Sequence, residues 1–169
     1  MNCIENGNRA EVRFDRCMIK KLHSENIYNF QLLPSSKEKD MRDHIDRTLL
    51  TEYKKNTFDV KAMKKDNRSD EDTMNDKTWV EFVNVNGNPG WIYGKATHIA
   101  FEVEDGFLLV NRKKLLNKVE EKCVDKTIYY ENPKECYKYY SRKKYGRNDL
   151  TIKVPIEDIE KISDMKITD

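Results

Sequence analysis

Hydrophobic and polar residues alternate from Thr57 to Met63, with Phe58, Val60 and Ala62 on one side and Thr57, Asp59 and Lys61 on the other. A period of two predicts a β-strand that buries the first set and presents the second. Just upstream, His44 to Leu50 predicts a second strand, joined to the first by a polar turn around Glu52 to Lys55. A hairpin centred on that turn sets Asp46 across from Asp59, and directly opposed Cβ atoms lie about 4.5–5.5 Å apart.

The rest of the pattern is coarser. Phe14, Cys17, Met18 and Leu22 recur at helical spacing, so Asn8 to Leu22 predicts a helix, with Asn8 and Glu11 as a capping-box-like start. Ile27 to Leu33 predicts a strand ended by Pro34, and Ser36 caps a short polar helix through Arg42. Lys64 to Asp76 has no apolar period and is expected as a loop. Trp79 to Val85 predicts a strand closed by Asn86-Gly87 and Asn88-Pro89-Gly90. Thr97 to Glu104 fits either a strand or a helix. Further on come a strand at Phe107 to Val110, an amphipathic helix at Arg112 to Cys123, a strand at Leu150 to Val154 and a short helix opening at Pro155. This order predicts an α/β fold, α+β mixed, with one central mixed sheet of four to five strands flanked by helices. The 169 residues fit one domain, with residues 124–169 expected as a C-terminal extension packed on the core.

Composition changes this picture little. Hydrophobic and charged residues are each 37% of the chain and the net charge is +2, so any nucleic-acid footprint must come from local segregation of charge. No stretch approaches about eighteen apolar residues and no signal-peptide pattern opens the chain, which predicts a soluble, intracellular, cytoplasmic protein without a membrane partner. Cys3, Cys17, Cys123 and Cys136 lack the tight spacing of a zinc site and are expected as reduced, mostly buried thiols.

The chemistry concentrates in the hairpin. Two carboxylates brought together can hold Mg²⁺, which binds through one or two carboxylates plus substrate phosphate, and an adjacent lysine can orient an attacking water. Acid-x-Lys triplets also occur at Glu52-Tyr53-Lys54, Glu120-Glu121-Lys122 and Asp164-Met165-Lys166. Only Asp59-Val60-Lys61 lies on an alternating strand with an acidic strand just upstream. In a chain this charged Asp46 and Asp59 could be solvated strand residues, but aspartate is disfavoured in strands and two neighbours need a reason. Glu11 has a competing role in the first helical turn, and Glu81, beside Trp79 and Val83, is either a further ligand or a charge at the sheet margin. Tyr137 to Arg147 carries Lys138, Arg142, Lys143, Lys144 and Arg147 with four tyrosines and no acid. Its cations can neutralise phosphates while its rings stack on bases, or the segment is a packed helix with solvated lysines. Lys95, after a Gly-rich turn, is a second candidate phosphate contact.

From Asn8 to about Leu116 the chain resembles the PD-(D/E)XK nuclease superfamily, especially its small phage-type and Holliday-junction-resolvase-like members. The resemblance rests on the helix NRAEVRFDRCMIKKL, the short helix SSKEKDMR, the strands DHID, FDVKAMKK and TWVEFVNV, and the segment GNPGWIYGKATHIAFE, in that order. It implies a restriction-endonuclease-like core, Asp46 as the first catalytic aspartate, Asp59 as the second acid and Lys61 as the lysine. It also implies Glu11 as the first-helix glutamate that some members add, and the Val60 carbonyl as a third metal ligand. No proline precedes Asp46, where the family name has Pro-Asp, and many members lack it too. The implied activity is Mg²⁺-dependent hydrolysis of DNA, by an endonuclease or an exonuclease, with Mn²⁺ as a substitute ion and RNA as an open alternative substrate. A homodimer would suit a two-strand cutter, and the phage-type likeness extends the expected location to a virus-infected host cell. The alternative is a non-catalytic nucleic-acid-binding or inhibitory protein with a nuclease-like fold.

Overall fold

The computed structural model describes residues 3–67 and 69–169, with side chains from Gly7 onward. Cys3 therefore lies outside the described side chains. The chain divides into two compact units, each discontinuous in sequence. Unit 1 comprises residues 1–63, 95–112 and 163–169; unit 2 comprises residues 64–94 and 113–162.

Unit 1 is built on a six-stranded mixed sheet in the order β1-β2-β3-β5-β6-β10. Its strands are β1 (Phe30–Pro34), β2 (Arg47–Thr51), β3 (Lys55–Lys61), β5 (His98–Val103), β6 (Gly106–Asn111) and β10 (Met165–Thr168). All neighbours are antiparallel except β3 and β5, a parallel pair that demands a long crossover, supplied by the unit 2 segment between them. Helix α1 (Cys3–Ser24) lays Ala10, Phe14, Cys17, Met18 and Leu22 on one face of this sheet. There they meet Leu49, Phe58, Val60, Ala62, Ala100, Phe107, Leu109 and Ile167. The Phe14 ring sits 5.2 Å from Phe58 and 5.5 Å from Phe107, which seats the helix across three strands.

Several boundaries differ from the sequence expectation. Helix α1 already runs from Cys3, so Asn8 and Glu11 lie inside it rather than at its start. Strand β2 begins at Arg47 rather than His44, and the helix expected from Pro155 opens at Ile156. Ile27 is drawn into the end of α1: Asn26 turns left-handed (φ 60) and the Ile27 amide bonds back to the Leu22 carbonyl, so β1 starts only at Phe30. At the other edge, β10 forms against β6 from a C-terminal segment with no clear alternation. Gly106 permits this approach, since a Cβ there would stand 1.9 Å from the Ile167 carbonyl oxygen. The stretch that fits both helix and strand is strand β5.

Unit 2 carries a second, four-stranded sheet in the order β4-β9-β8-β7, with β4 (Lys77–Val83), β7 (Ile128–Tyr129), β8 (Tyr139–Tyr140) and β9 (Leu150–Pro155). The expectation of one sheet with four to five strands is thus corrected to two mixed sheets, of six and four strands. The long-range pairing of β4 with β9 carries no local sequence signal. Val80, Phe82, Ile152 and Val154 supply buried apolar side chains, with Leu115 and Val119 of α3 (Arg112–Lys122) and Ile159 of α4 (Ile156–Ile162). Lys153 is 1% exposed, an uncommon fate for lysine, and bonds Asp66 at 2.9 Å beside the Trp79 ring. It ties the polar 64–76 loop down to the sheet. Cys17 and Cys123 are buried free thiols and Cys136 is half-buried and free. Among the described residues no helix is long and apolar enough to cross a membrane.

Candidate active site

The β2–β3 register pairs Arg47 with Phe58, and the Asp46 amide continues it by donating to the Phe58 carbonyl at 2.8 Å. Asp46 therefore stands across from Asp59, one residue before β2 begins. Its Oδ2 accepts from the Val60 amide at 2.6 Å, which fixes the carboxylate against the neighbouring strand. Lys61 Nζ lies 2.5 Å from Asp59 Oδ1. The alternation that presents Asp59 does not leave it in solvent, however. Asp59 is 1% exposed, and its Oδ2 is buried without a hydrogen-bond partner.

Two further side chains arrive from α2 (Lys37–Asp43) and the His44 cap that ends it, which sequence reasoning did not place here. Ser36 caps the helix by accepting from the Lys39 amide, and His44 ends it in a left-handed conformation (φ 52) with its amide on the Asp40 carbonyl. That turn delivers the chain to Asp46 and leaves Asp40 within hydrogen-bonding reach of the Asp46 carboxylate. The short helix directly before Asp46, with its acid at Asp40, was the available signal. His44 lies near Lys61 and Asp46; burial, then the Lys61 charge, pulls its pKa down.

The electrostatics follow from crowding acids away from water. Burial, opposed by Lys61 and reinforced by Asp46, pushes the Asp59 carboxyl up to about 8. Burial and the Asp46 charge push Asp40 up to about 6. Glu11, on α1, is also raised, by burial first and Asp46 second, with Arg47 opposing. Carboxylates cannot donate to each other, so the cluster is relieved only by taking up protons or a cation.

Whether a divalent ion suits these groups can be judged from the donor set. Asp59 Oδ2 is a buried oxygen lacking a donor, and Asp46 faces it. Among the described residues no group of three His, Cys, Asp or Glu side chains is arranged to hold a metal ion. The donor set is thus two carboxylates rather than a closed cage, which suits Mg²⁺, an ion that keeps several waters. Glu11 is already engaged: its carboxylate bonds Arg47 at 2.9 Å, and Arg47 bonds Asp15 at 2.8 Å. Val60 lies between the two aspartates with its amide on Asp46.

The remaining sequence candidates fall elsewhere. Glu81 belongs to β4 of the second sheet, paired with Thr151. Lys95 bonds the buried Asp43 at 2.8 Å, and with Arg42 it holds that carboxyl well below the usual carboxylate range. The basic tyrosine segment is neither one helix nor free of acids. It comprises β8 and a 3-10 turn at Lys143–Tyr145, and acids from other parts of unit 2 reach it. Lys138 bonds Asp125 at 3.0 Å, Lys144 bonds Glu131 at 3.1 Å, and Arg142 Nε bonds Asp149 at 2.5 Å. Lys143 and Arg147 have no side-chain partner among the described residues. The chain matches no family model, no curated protein and no solved structure.

Proposed function

We propose that this protein is a Mg²⁺-dependent deoxyribonuclease whose ion is held by Asp46 and Asp59. The observation that carries the reading is the buried, donorless Oδ2 of Asp59 facing Asp46, with the Lys61 ammonium 2.5 Å from the other oxygen. Evolution seldom leaves a buried charge-bearing oxygen unpartnered without a use for it, because the desolvation cost is severe.

A bound Mg²⁺ supplies charge to polarise the scissile phosphate and to stabilise the oxygens on which charge develops. The chain's own residues set the rest. Asp46 is oriented by the Val60 amide, so its carboxylate is held in one place rather than sweeping a cone. Lys61, 2.5 Å from Asp59 Oδ1, would hold the attacking water, and the Val60 carbonyl would serve as a third ligand to the ion. Glu11 enters only if it leaves Arg47, so Arg47 sets whether the helix acid contributes.

A second reading has its own observation. Lys61 and Arg47 already neutralise Asp59 and Glu11, an arrangement a non-catalytic nucleic-acid-binding protein could keep. Incubation of the purified protein with supercoiled, linear duplex and single-stranded DNA in Mg²⁺ or Mn²⁺ separates the two. Cleavage that stops with EDTA, with Asp59→Asn and with Lys61→Ala is expected. A folded wild type that binds DNA and Mn²⁺ yet cuts none of these substrates leaves the binding reading standing.

A further inference from the structure

Charge and aromatic residues are segregated in one stretch of unit 2. From Lys126 to Arg147 there are seven basic residues against two acidic, although the whole chain carries a net charge of only +2. Six of the nine tyrosines lie in the same stretch. The fold sorts these six into two kinds. Tyr139 is buried beside Phe82, Tyr140 packs 5.8 Å from Trp79, and the Tyr137 hydroxyl donates to Asp158 at 2.8 Å. Those three hold the sheet together.

Tyr129, Tyr130 and Tyr145 are instead 37%, 47% and 67% exposed. They share one margin of the sheet. Tyr129 lies on the edge strand β7 opposite Tyr140, and its carbonyl accepts from the Ser141 amide. Lys144, from the turn that carries Tyr145, bonds Glu131, the residue after Tyr130. Cations flank the rings: Lys138 Nζ is 6.0 Å from the Tyr129 ring and Lys144 Nζ is 5.2 Å from that of Tyr145. Asp125 and Glu131 are taken up by Lys138 and Lys144, leaving Glu135 as the other acid of the stretch. Lys143 and Arg147 remain without side-chain partners among the described residues.

From this we infer that the β7 margin is a binding surface for single-stranded nucleic acid, on which unpaired bases stack against Tyr129, Tyr130 and Tyr145 while Lys143 and Arg147 neutralise the backbone. Exposure by itself is common to tyrosines of this chain. Here, however, three exposed rings share a segment with the cations Lys138, Lys143, Lys144 and Arg147, of which Lys143 and Arg147 flank Tyr145 in sequence. The combination matches a partner with both π-faces and phosphates. A single strand offers both; a duplex hides its base faces in its own stack. The inference takes the nucleic-acid class from the proposed function but not its hydrolytic chemistry, so it can be assayed without metal.

The experiment is fluorescence anisotropy in EDTA with a 20-nucleotide oligo-dT, a duplex of the same length and anionic phospholipid vesicles, across a salt series. Oligo-dT is expected to bind at least about tenfold more tightly than duplex. Tyr145→Ala and Tyr129→Ala should each weaken it about 5- to 150-fold, the range of one lost base stack, while Tyr145→Phe stays near wild type. Replacing Lys143 and Arg147 together by Gln should lower the salt slope by about 1.4, two contacts on a single strand. Equal or tighter duplex binding overturns the inference. So does unchanged oligo-dT affinity in both alanine variants, or tighter binding to vesicles than to oligo-dT. Loss of binding in Tyr145→Phe together with a lowered melting temperature would mark the ring as structural and refute it equally. Asp59→Asn should keep the oligo-dT affinity while losing Mn²⁺ binding. Cleavage without this surface, or this surface without cleavage, therefore sinks one reading and spares the other.

Discussion

Two buried carboxylates sit on adjacent strands of the same sheet and meet opposite fates. Glu102 on β5 is 3% exposed, and each of its oxygens is satisfied: Arg9 at 2.7 Å, Arg13 at 3.1 Å and the Met63 amide at 3.1 Å. Asp59 on β3 is 1% exposed, has one lysine on one oxygen and nothing on the other, and faces a second acid. Glu102 fastens α1 to the sheet, since both its arginines come from that helix. Asp59 fastens nothing that an amide could not. Burial alone therefore does not distinguish the two acids; the count of donors does. Asp149 in unit 2 repeats the structural pattern, with the Arg142 amide at 3.1 Å and its guanidinium both on one carboxylate.

The largest effect should come from the satisfied acid. Glu102→Ala leaves Arg13, 13% exposed, facing a hole, and should cost about 3 kcal/mol in urea unfolding, the low end for a broken buried pair because Arg9 is half-exposed. Asp59→Asn should show the reverse signature. Metal-dependent cleavage should fall about 100-fold or more, while stability in EDTA at pH 8.5 holds or rises. If Asp59→Asn unfolds the protein as readily as Glu102→Ala does, the contrast collapses and Asp59 is a structural acid.

The pH dependence sharpens the same contrast. Carboxyls raised to about 8 at Asp59 and about 6 at Asp40 hold protons in the folded protein that the unfolded chain releases near pH 4. Their contribution to stability is complete below about pH 4 and is lost as pH rises through 6 and then 8. In EDTA the wild-type melting temperature should therefore fall between pH 5 and 8 relative to that of Asp59→Asn, and Mg²⁺ at pH 8 should recover it. Parallel profiles for the two proteins would show that Asp59 ionises without penalty, contrary to its surroundings. The smallest effect belongs to the cap that delivers Asp40. Ser36→Ala should cost about 0.5–1 kcal/mol, readable as a small shift in the denaturation midpoint.

What was legible in the sequence was local. The alternation of Thr57 to Met63, the turn after Thr51 and the spacing of Phe14, Cys17, Met18 and Leu22 encode the hairpin and its helix. Together they set Asp46 across from Asp59 and Lys61 beside it. These features depend on residues a few positions apart, where backbone period and turn chemistry leave a direct trace. The mixed α/β class followed from the same traces.

Only the tertiary structure decided the rest. Arg9 and Arg13 find Glu102 from 93 and 89 residues away, β10 joins β6 from the C-terminal segment, and β4 pairs with β9 in a sheet of its own, taking Glu81 with it. Asp40 and His44 approach Asp46 because a left-handed turn at His44 redirects the chain, and the acids that occupy Lys138, Arg142 and Lys144 come from separate loops. Charge pairing at long range leaves no periodic trace, because any of 32 cations could answer any of 30 acids until packing brings two together. The sequence therefore shows which residues could carry chemistry, and burial with its satisfied and unsatisfied partners separates Asp59 from Glu102.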